Sequence, residues 1–476
     1  MCVTATVEKG QKLLLRCEDL DREGAATARH GSLVLHVAGA LPGEQVRVSV
    51  AHVSPHEQTG TRHAWAELDE IVQASPERVD PPCPTQGRCG ACPLMRWSYP
   101  AQRLWKRRLV AQALAGYPDL AAVEVKECVA SPLLFGYRGN AKLVYGRDRE
   151  EQLVLGAYAR RSHEIVDMAG CPLIEPALAH VASALRTLLL DRPVEPFDEI
   201  RRTGLLRYAI MRANAWGQVL VTLVTARHRW PEAQDLATAL VTACPSVLGV
   251  VQNVNPSMGN VMLGEEEHLL WGSAFIEDEI GPARVRLGSR SFAQANRQVA
   301  GLAYAAIAAA ATRLGPIERA VDAYAGAGGI ALSLAPLAHE VVAIEENPAA
   351  AATATAFIEQ GGSAGARVRF VAGDVADHLA QIGRADVVVL NPPRKGCAPA
   401  VLAAVAQLSP RMVAYLSCNL ETLARDLGVL ARLGLPCRVI TPFDMLAHTP
   451  HVEALALLPL DPMQDSPTGG TKCAVR

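Results

Sequence analysis

Hydrophobic and polar positions along this chain fall into three regimes. Up to about residue 75, short apolar runs punctuated by turn residues predict strands: Lys12–Leu15, Leu33–Val37 and Gln45–Val50, with a turn at Leu41-Pro42-Gly43-Glu44. Near-regular spacing of short strands suggests a small β-barrel, an architecture that either holds oligonucleotides or serves as a ligand-free module. From about 125 to 280, strand runs at Ala141–Tyr145, Val219–Val224 and Val247–Val251 alternate with an Ala/Leu-rich helix near 176–190, an α+β pattern. In the last third, strands at Ala320–Tyr324, Val341–Ile344, Val368–Val371, Asp386–Leu390 and Met412–Leu416 alternate with helical stretches. Such alternation predicts a parallel sheet with helices on both faces.

Size and charge limit the picture without naming a function. The 476 residues allow about three domains, and half of them are apolar. Net charge is -2, so any surface for a polyanion is local. Met1–Cys17 carries Glu8, Lys9, Lys12 and Arg16 rather than a signal-peptide core, and Val299–Ala311 is too short to span a bilayer. A cytoplasmic protein with no membrane partner is expected. Its twelve cysteines are then thiols, metal ligands or catalytic groups rather than disulfides.

Three of those cysteines, Cys83, Cys89 and Cys92, stand in a C-x5-C-x2-C array within a Gly/Pro-rich loop, and Cys171 in Gly170-Cys171-Pro172 offers a fourth sulfur. Four thiolates suit an iron–sulfur cluster or a structural zinc, and this spacing leans towards the cluster. Directly after them, Arg96, Trp97, Arg103, Lys106 and Arg107 interleave cations with aromatics. That composition serves either an RNA surface or an amphipathic helix with a solvated basic face.

In the last third, Asp322-Ala323-Tyr324-Ala325-Gly326-Ala327-Gly328-Gly329 follows a strand and opens a helix, so glycine backbone can approach a ligand there. Glu345 ends the next strand, placed for ribose hydroxyls; Gly373-Asp374 follows the third, and Asn391-Pro392-Pro393-Arg394 the fourth. That order resembles S-adenosylmethionine methyltransferases. The fifth strand ends in Ser417-Cys418-Asn419. A cysteine at the carboxyl end of a core strand faces the crevice where such sheets bind ligands, and its thiolate is a ready nucleophile.

Taken together, these motifs resemble one family over nearly the whole chain: the RNA (uracil-5-)-methyltransferases of ribosomal and transfer RNA. The resemblance implies a TRAM barrel of oligonucleotide-binding fold at 1–75 and a central α+β iron–sulfur domain at 76–280. A helix near 94–124 is there available to pack on the catalytic domain. It further implies a Rossmann-like methyltransferase domain at 281–461, followed by a disordered tail at 462–476. Cys83, Cys89, Cys92 and Cys171 match the cluster ligands, probable 4Fe–4S type being the family's, with Gly136-Tyr137-Arg138-Gly139-Asn140 between them. Gln294 in Ser291–Asn296, Tyr324, Gly326, Gly328, Glu345, Asp374 and Asn391 match methyl-donor positions. Cys418 matches the nucleophile, and Phe443-Asp444-Met445 through His451-Val452-Glu453 matches the loop bearing the general base, Glu453. The resemblance also turns Arg96, Trp97, Arg103, Lys106, Arg107 and Arg394 towards RNA.

Its implied reaction is methylation of a uridine C5 through a Cys418–C6 adduct, by a monomer acting on structured RNA, with 23S ribosomal RNA ahead of transfer RNA. An amine-directed methyltransferase and a non-catalytic RNA-binding protein are the alternatives. The chain departs from the family at Asn391, where most members carry aspartate, at Ala325 in place of cysteine, and at Leu420 in place of proline.

Overall fold

The computed structural model describes residues 7–58, 60–160, 162–259, 261–360 and 367–459; the tail expected at 462–476 lies outside them. The chain divides into two compact units. One comprises Met1–Leu109, Glu127–Gly301 and Pro442–Glu453; the other comprises Val110–Lys126, Leu302–Thr441 and Ala454–Arg476.

The first unit contains two large sheets. The N-terminal one has six strands in the order Lys12–Arg16, Gln45–Gln58, Thr61–Gln73, Leu33–Val37, Ala26–His30, Asp19–Leu20. Alternation drives it: in Lys12–Arg16, Leu13 and Leu15 point inward while their neighbours are exposed. Leu15, Leu35, Val37, Val46, Val48 and Ala64 share one core, which Trp97 and Trp105 join. The second sheet has seven strands: Ile165–Asp167, Leu153–Tyr158, Asn140–Arg147, Leu206–Ala213, Val219–Thr225, Val247–Val254, Glu266–Gly272. Helices Pro176–Leu190 and Ala233–Ala243 lay Leu178, Val181, Leu185, Leu236 and Leu240 onto it. Replacing one such buried leucine by alanine costs about 2–5 kcal/mol, which is why the apolar stripe fixes these helices.

The second unit is built on an eight-stranded sheet in the order Val368–Ala372, Ala338–Glu345, Ile317–Ala323, Val387–Leu390, Met412–Ser417, Glu453–Pro459, Val439–Phe443, Glu124–Val125. The first five are parallel neighbours, and Glu453–Pro459 runs antiparallel to Met412–Ser417. Val387–Leu390 and Met412–Ser417 are buried along their whole length, as strands covered on both faces must be. Strand order reverses between Ile317–Ala323 and Val387–Leu390, which opens a crevice at their carboxyl ends. Among the described residues, no helix is long and apolar enough to cross a membrane.

Candidate active site

The glycine-rich turn leaves Ile317–Ala323 at that crevice. Tyr324 takes a φ of 67°, a left-handed conformation rare for an aromatic residue, and Gly326 and Gly328 follow at 56° and 83°. A Cβ on Gly328 would sit 2.4 Å from the Phe370 ring, whereas one on Gly326 would meet nothing within 4 Å. Gly328 is therefore needed for packing, and Gly326 faces open space. Glu345 accepts from the backbone N–H of Gly326 at 2.7 Å and of Asn347 at 2.8 Å. Its carboxylate thus fixes the turn. Asp322, fully buried beneath the turn, accepts from the Ala331 N–H at 2.8 Å. Burial, opposed by that hydrogen bond and reinforced by Glu345, pushes its carboxyl up to about 7. Asp374 is exposed and caps the helix Val375–Ile382, accepting from Ala376 and Asp377. Asn391, half-buried, continues from Leu390 with its N–H directed at the Ala323 carbonyl.

One strand further on, Met412–Ser417 delivers the Ser417-Cys418-Asn419 turn. Cys418 is exposed there, while the six strand residues before it are buried. Asn419 performs two tasks. Its side-chain oxygen caps the helix Leu420–Arg432 through Glu421 N–H, and its amide donates to the Arg394 carbonyl at 2.9 Å. Thr422 also reaches that carbonyl, at 3.3 Å. Within this unit the Ser417-Cys418-Asn419 turn is therefore tied to the loop that follows Asn391.

A second tie was not foreseen from sequence. Asp426 is 1% exposed and accepts from the Cys397 N–H at 2.8 Å, the Tyr415 hydroxyl at 2.6 Å and the Arg425 guanidinium at 2.7 Å. The Cys397 thiol in turn hydrogen-bonds Tyr415 and Tyr324, and burial pushes it up to about 12. Asp426 shares the apolar face formed by Leu423, Leu427 and Leu430. A lone acid on an apolar stripe was the signal available in the sequence.

Ser417 pairs with Ala454, so the Cys418 turn leaves its strand opposite the start of the antiparallel neighbour. Glu453 is only 4% exposed, and burial alone pushes its carboxyl up to about 8. The loop before it is bolted within the first unit. Lys106, on helix Tyr99–Leu114, forms a fully buried ion pair with Asp444 and donates to the Leu446 carbonyl at 3.1 Å. Gln102 accepts from the His448 N–H at 3.1 Å, and Tyr137 donates to the Ala447 carbonyl at 2.9 Å.

The four cysteines lie in the same unit and influence one another's titration. Burial first, then the sulfurs of Cys171, Cys89 and Cys83, push the Cys92 thiol up to about 12; Cys171 is raised by burial, with Cys83 and Cys89 adding to it. Gly87 and Gly90 adopt positive φ between Cys83 and Cys92, allowing the loop to curl. Met95, Tyr137 and Leu173 pack against Cys83, Cys92 and Cys171.

The basic–aromatic segment needs correction. Trp97 is buried in the core of the N-terminal sheet and Lys106 is wholly enclosed by its ion pair, so neither presents a surface to RNA. Arg103 is committed to the Cys128 carbonyl at 2.8 and 2.6 Å, and Arg96 to the Gly39 carbonyl at 3.0 Å. Arg107 and Arg394 are exposed. Gln294 lies half-buried in the first unit, just before the helix Arg297–Thr312.

Comparison with known proteins places this architecture in a class. A family model described as RNA cap guanine-N2 methyltransferase matches residues 317–399, the stretch from the strand Ile317–Ala323 to Pro399, beyond Asn391. An "uncharacterized RNA methyltransferase" of Geobacter sulfurreducens is 37% identical over 463 residues, 95% of this chain and 90% of that protein. One of Halalkalibacterium halodurans is 34% identical, covering 96% of this chain and 98% of its own. The chain belongs to this family of RNA methyltransferases. Its fold is shared with the Pyrococcus abyssi tRNA (uracil-54, C5)-methyltransferase solved with S-adenosyl-L-homocysteine: TM-score 0.72 and 23% identity, over 94% of this chain and 100% of that one.

Proposed function

We propose that this protein methylates C5 of a uridine in structured RNA, using Cys418 as nucleophile and Glu453 as general base. The observation that carries this reading is the exposed Cys418 thiol directly after the buried strand Met412–Ser417, and the buried carboxyl of Glu453, raised to about 8, supports it. C5 of uracil attacks a methyl group poorly. Addition of the Cys418 thiolate to C6 forms a C–S bond and leaves an enolate whose C5 is nucleophilic. S-adenosylmethionine would supply an electrophilic methyl group and leave as S-adenosylhomocysteine; Tyr324, Gly326, Gly328, Glu345, Asp374 and Asn391 would hold it, and Gln294 is assigned to the same donor. Once C5 carries the methyl group, Glu453 takes the C5 proton, the C5=C6 bond re-forms, and the C–S electron pair returns to Cys418. A base near 8 is matched to proton transfer at physiological pH.

In the same reading, the thiols of Cys83, Cys89, Cys92 and Cys171 would be the ligands of an iron–sulfur cluster of 4Fe–4S type. It would tie the loop around Cys89 to the turn at Cys171 and supplies no electron to methylation. Arg107 and Arg394 are the RNA-facing cations that remain exposed. The RNA is 23S ribosomal RNA in this reading, acted on by a cytoplasmic monomer. Transfer RNA is the second reading, favoured by the fold shared with the Pyrococcus abyssi enzyme.

The test is nucleoside mass spectrometry of both RNAs after incubation with enzyme and methyl-labelled donor. 5-Methyluridine is expected. Labelled N2-methylguanosine instead, the product class of the family model that matches 317–399, would reject Cys418 chemistry in favour of amine transfer.

A further inference from the structure

The seven-stranded sheet ends at the strand Glu266–Gly272. Residues two apart on a strand share a face, so Glu266 and His268 project together. His228 joins them from the loop after Val219–Thr225. The Nδ1 of His228 lies 3.0 Å, and the Nε2 of His268 2.5 Å, from one atom, Oε1 of Glu266. The two imidazoles stack with centroids 4.1 Å apart, and all three donor atoms fall within 4.8 Å of one another.

Two imidazole nitrogens and one carboxylate oxygen form the donor set preferred by zinc and its transition-metal neighbours. With tetrahedral bonds of about 2.0–2.2 Å, donors on one ion stand about 3.4 Å apart, so the His228–Glu266 pair needs little adjustment and the His268–Glu266 pair opens by about 1 Å. The His228 loop is also held in place from below. Gln252 is 3% exposed and sits at the register position opposite His268. Its amide donates to the His228 carbonyl and to the Thr225 hydroxyl, each at 2.9 Å. One strand pair thus carries two donors and, through a buried amide, anchors the backbone of the third.

We propose that His228, Glu266 and His268 bind one divalent transition-metal ion of the zinc class, stapling the loop to the edge strand. Side-chain exposures of 66%, 51% and 35% leave the remaining coordination positions to water. The site is separate from the four thiols and independent of the methylation reading.

The test uses tag-free protein purified anaerobically with its thiol centre loaded, so that added metal cannot enter there. Calorimetric titration with Zn2+ alone is expected to show one site, weakened at least about tenfold in His268→Ala and in Glu266→Gln. Added Co2+ should give ligand-field bands without sulfur charge-transfer. Equal zinc affinity in the wild type and in His228→Ala/His268→Ala would overturn the proposal, as would cobalt bands of sulfur character. These side chains are substantially exposed, so metal-free variants should melt with the wild type, whereas zinc should raise only the wild-type melting temperature.

Discussion

Glu453→Gln tests the energetics and the chemistry of the base in a single protein. The carboxyl is 4% exposed, and burial moves it from 4.5 to about 8. Between those values the native state keeps a proton that the unfolded chain has released. Stability contributed at low pH is therefore lost as pH rises from about 4.5 to about 8, and no more is lost above that. At about 1.4 kcal/mol per pH unit, the full window amounts to about 5 kcal/mol. Glutamine does not titrate, so urea unfolding of the variant and the wild type from about pH 5 to about pH 8 should diverge, the variant gaining relative stability with each step. Turnover should fall by about 10²–10⁴, because proton removal from C5 loses its base while addition of Cys418 does not. A covalent RNA–protein complex should consequently accumulate with ordinary uridine. A stability difference that stays flat with pH would refute the burial argument; wild-type turnover would refute the role.

Further consequences are separable from that one. In wild-type enzyme, kcat/KM should rise as pH approaches about 8 and then level off, as Glu453 loses its proton; a profile flat from about pH 6 upward would contradict this. Lys106→Met leaves Asp444 buried without its cation and should cost about 3–5 kcal/mol in urea unfolding, while a loss under about 1 kcal/mol would contradict the enclosed pair. Asp426→Ala removes the acceptor for Cys397, Tyr415 and Arg425; about 1–3 kcal/mol is expected for each buried donor left unsatisfied, together with weaker donor binding by calorimetry. Gly328→Ala combines a positive φ with a contact to the Phe370 ring and should lower the melting temperature, whereas Gly326→Ala, with open space ahead of its Cβ, should weaken binding of S-adenosylhomocysteine more than it weakens the fold.

Much of the second unit could be read from sequence because its strands are covered on both faces and so appear as unbroken apolar runs. Val387–Leu390 and Met412–Ser417 differ from their expected limits by one residue each. Thr61–Gln73 went unread because its inward residues include small Ala64 and Ala66 set among charges. Position in a motif did not disclose burial. Glu453, expected on a loop, begins a strand and is enclosed, and Trp97 and Lys106 are interior. Cation–aromatic interleaving has the same composition whether it faces solvent or a core, and only tertiary packing separates the two. Asp426 was legible in principle, as the one acid on the buried face of its helix.

The account stands or falls on a bond to the sulfur of Cys418. Incubating the protein with methyl donor and RNA containing 5-fluorouridine blocks removal of the C5 substituent, because fluorine cannot leave as a proton. Peptide mass mapping should then find the methylated fluoropyrimidine attached to Cys418, and no adduct in Cys418→Ala. An intact protein that methylates RNA yet carries no adduct, or an adduct on another cysteine, would contradict it.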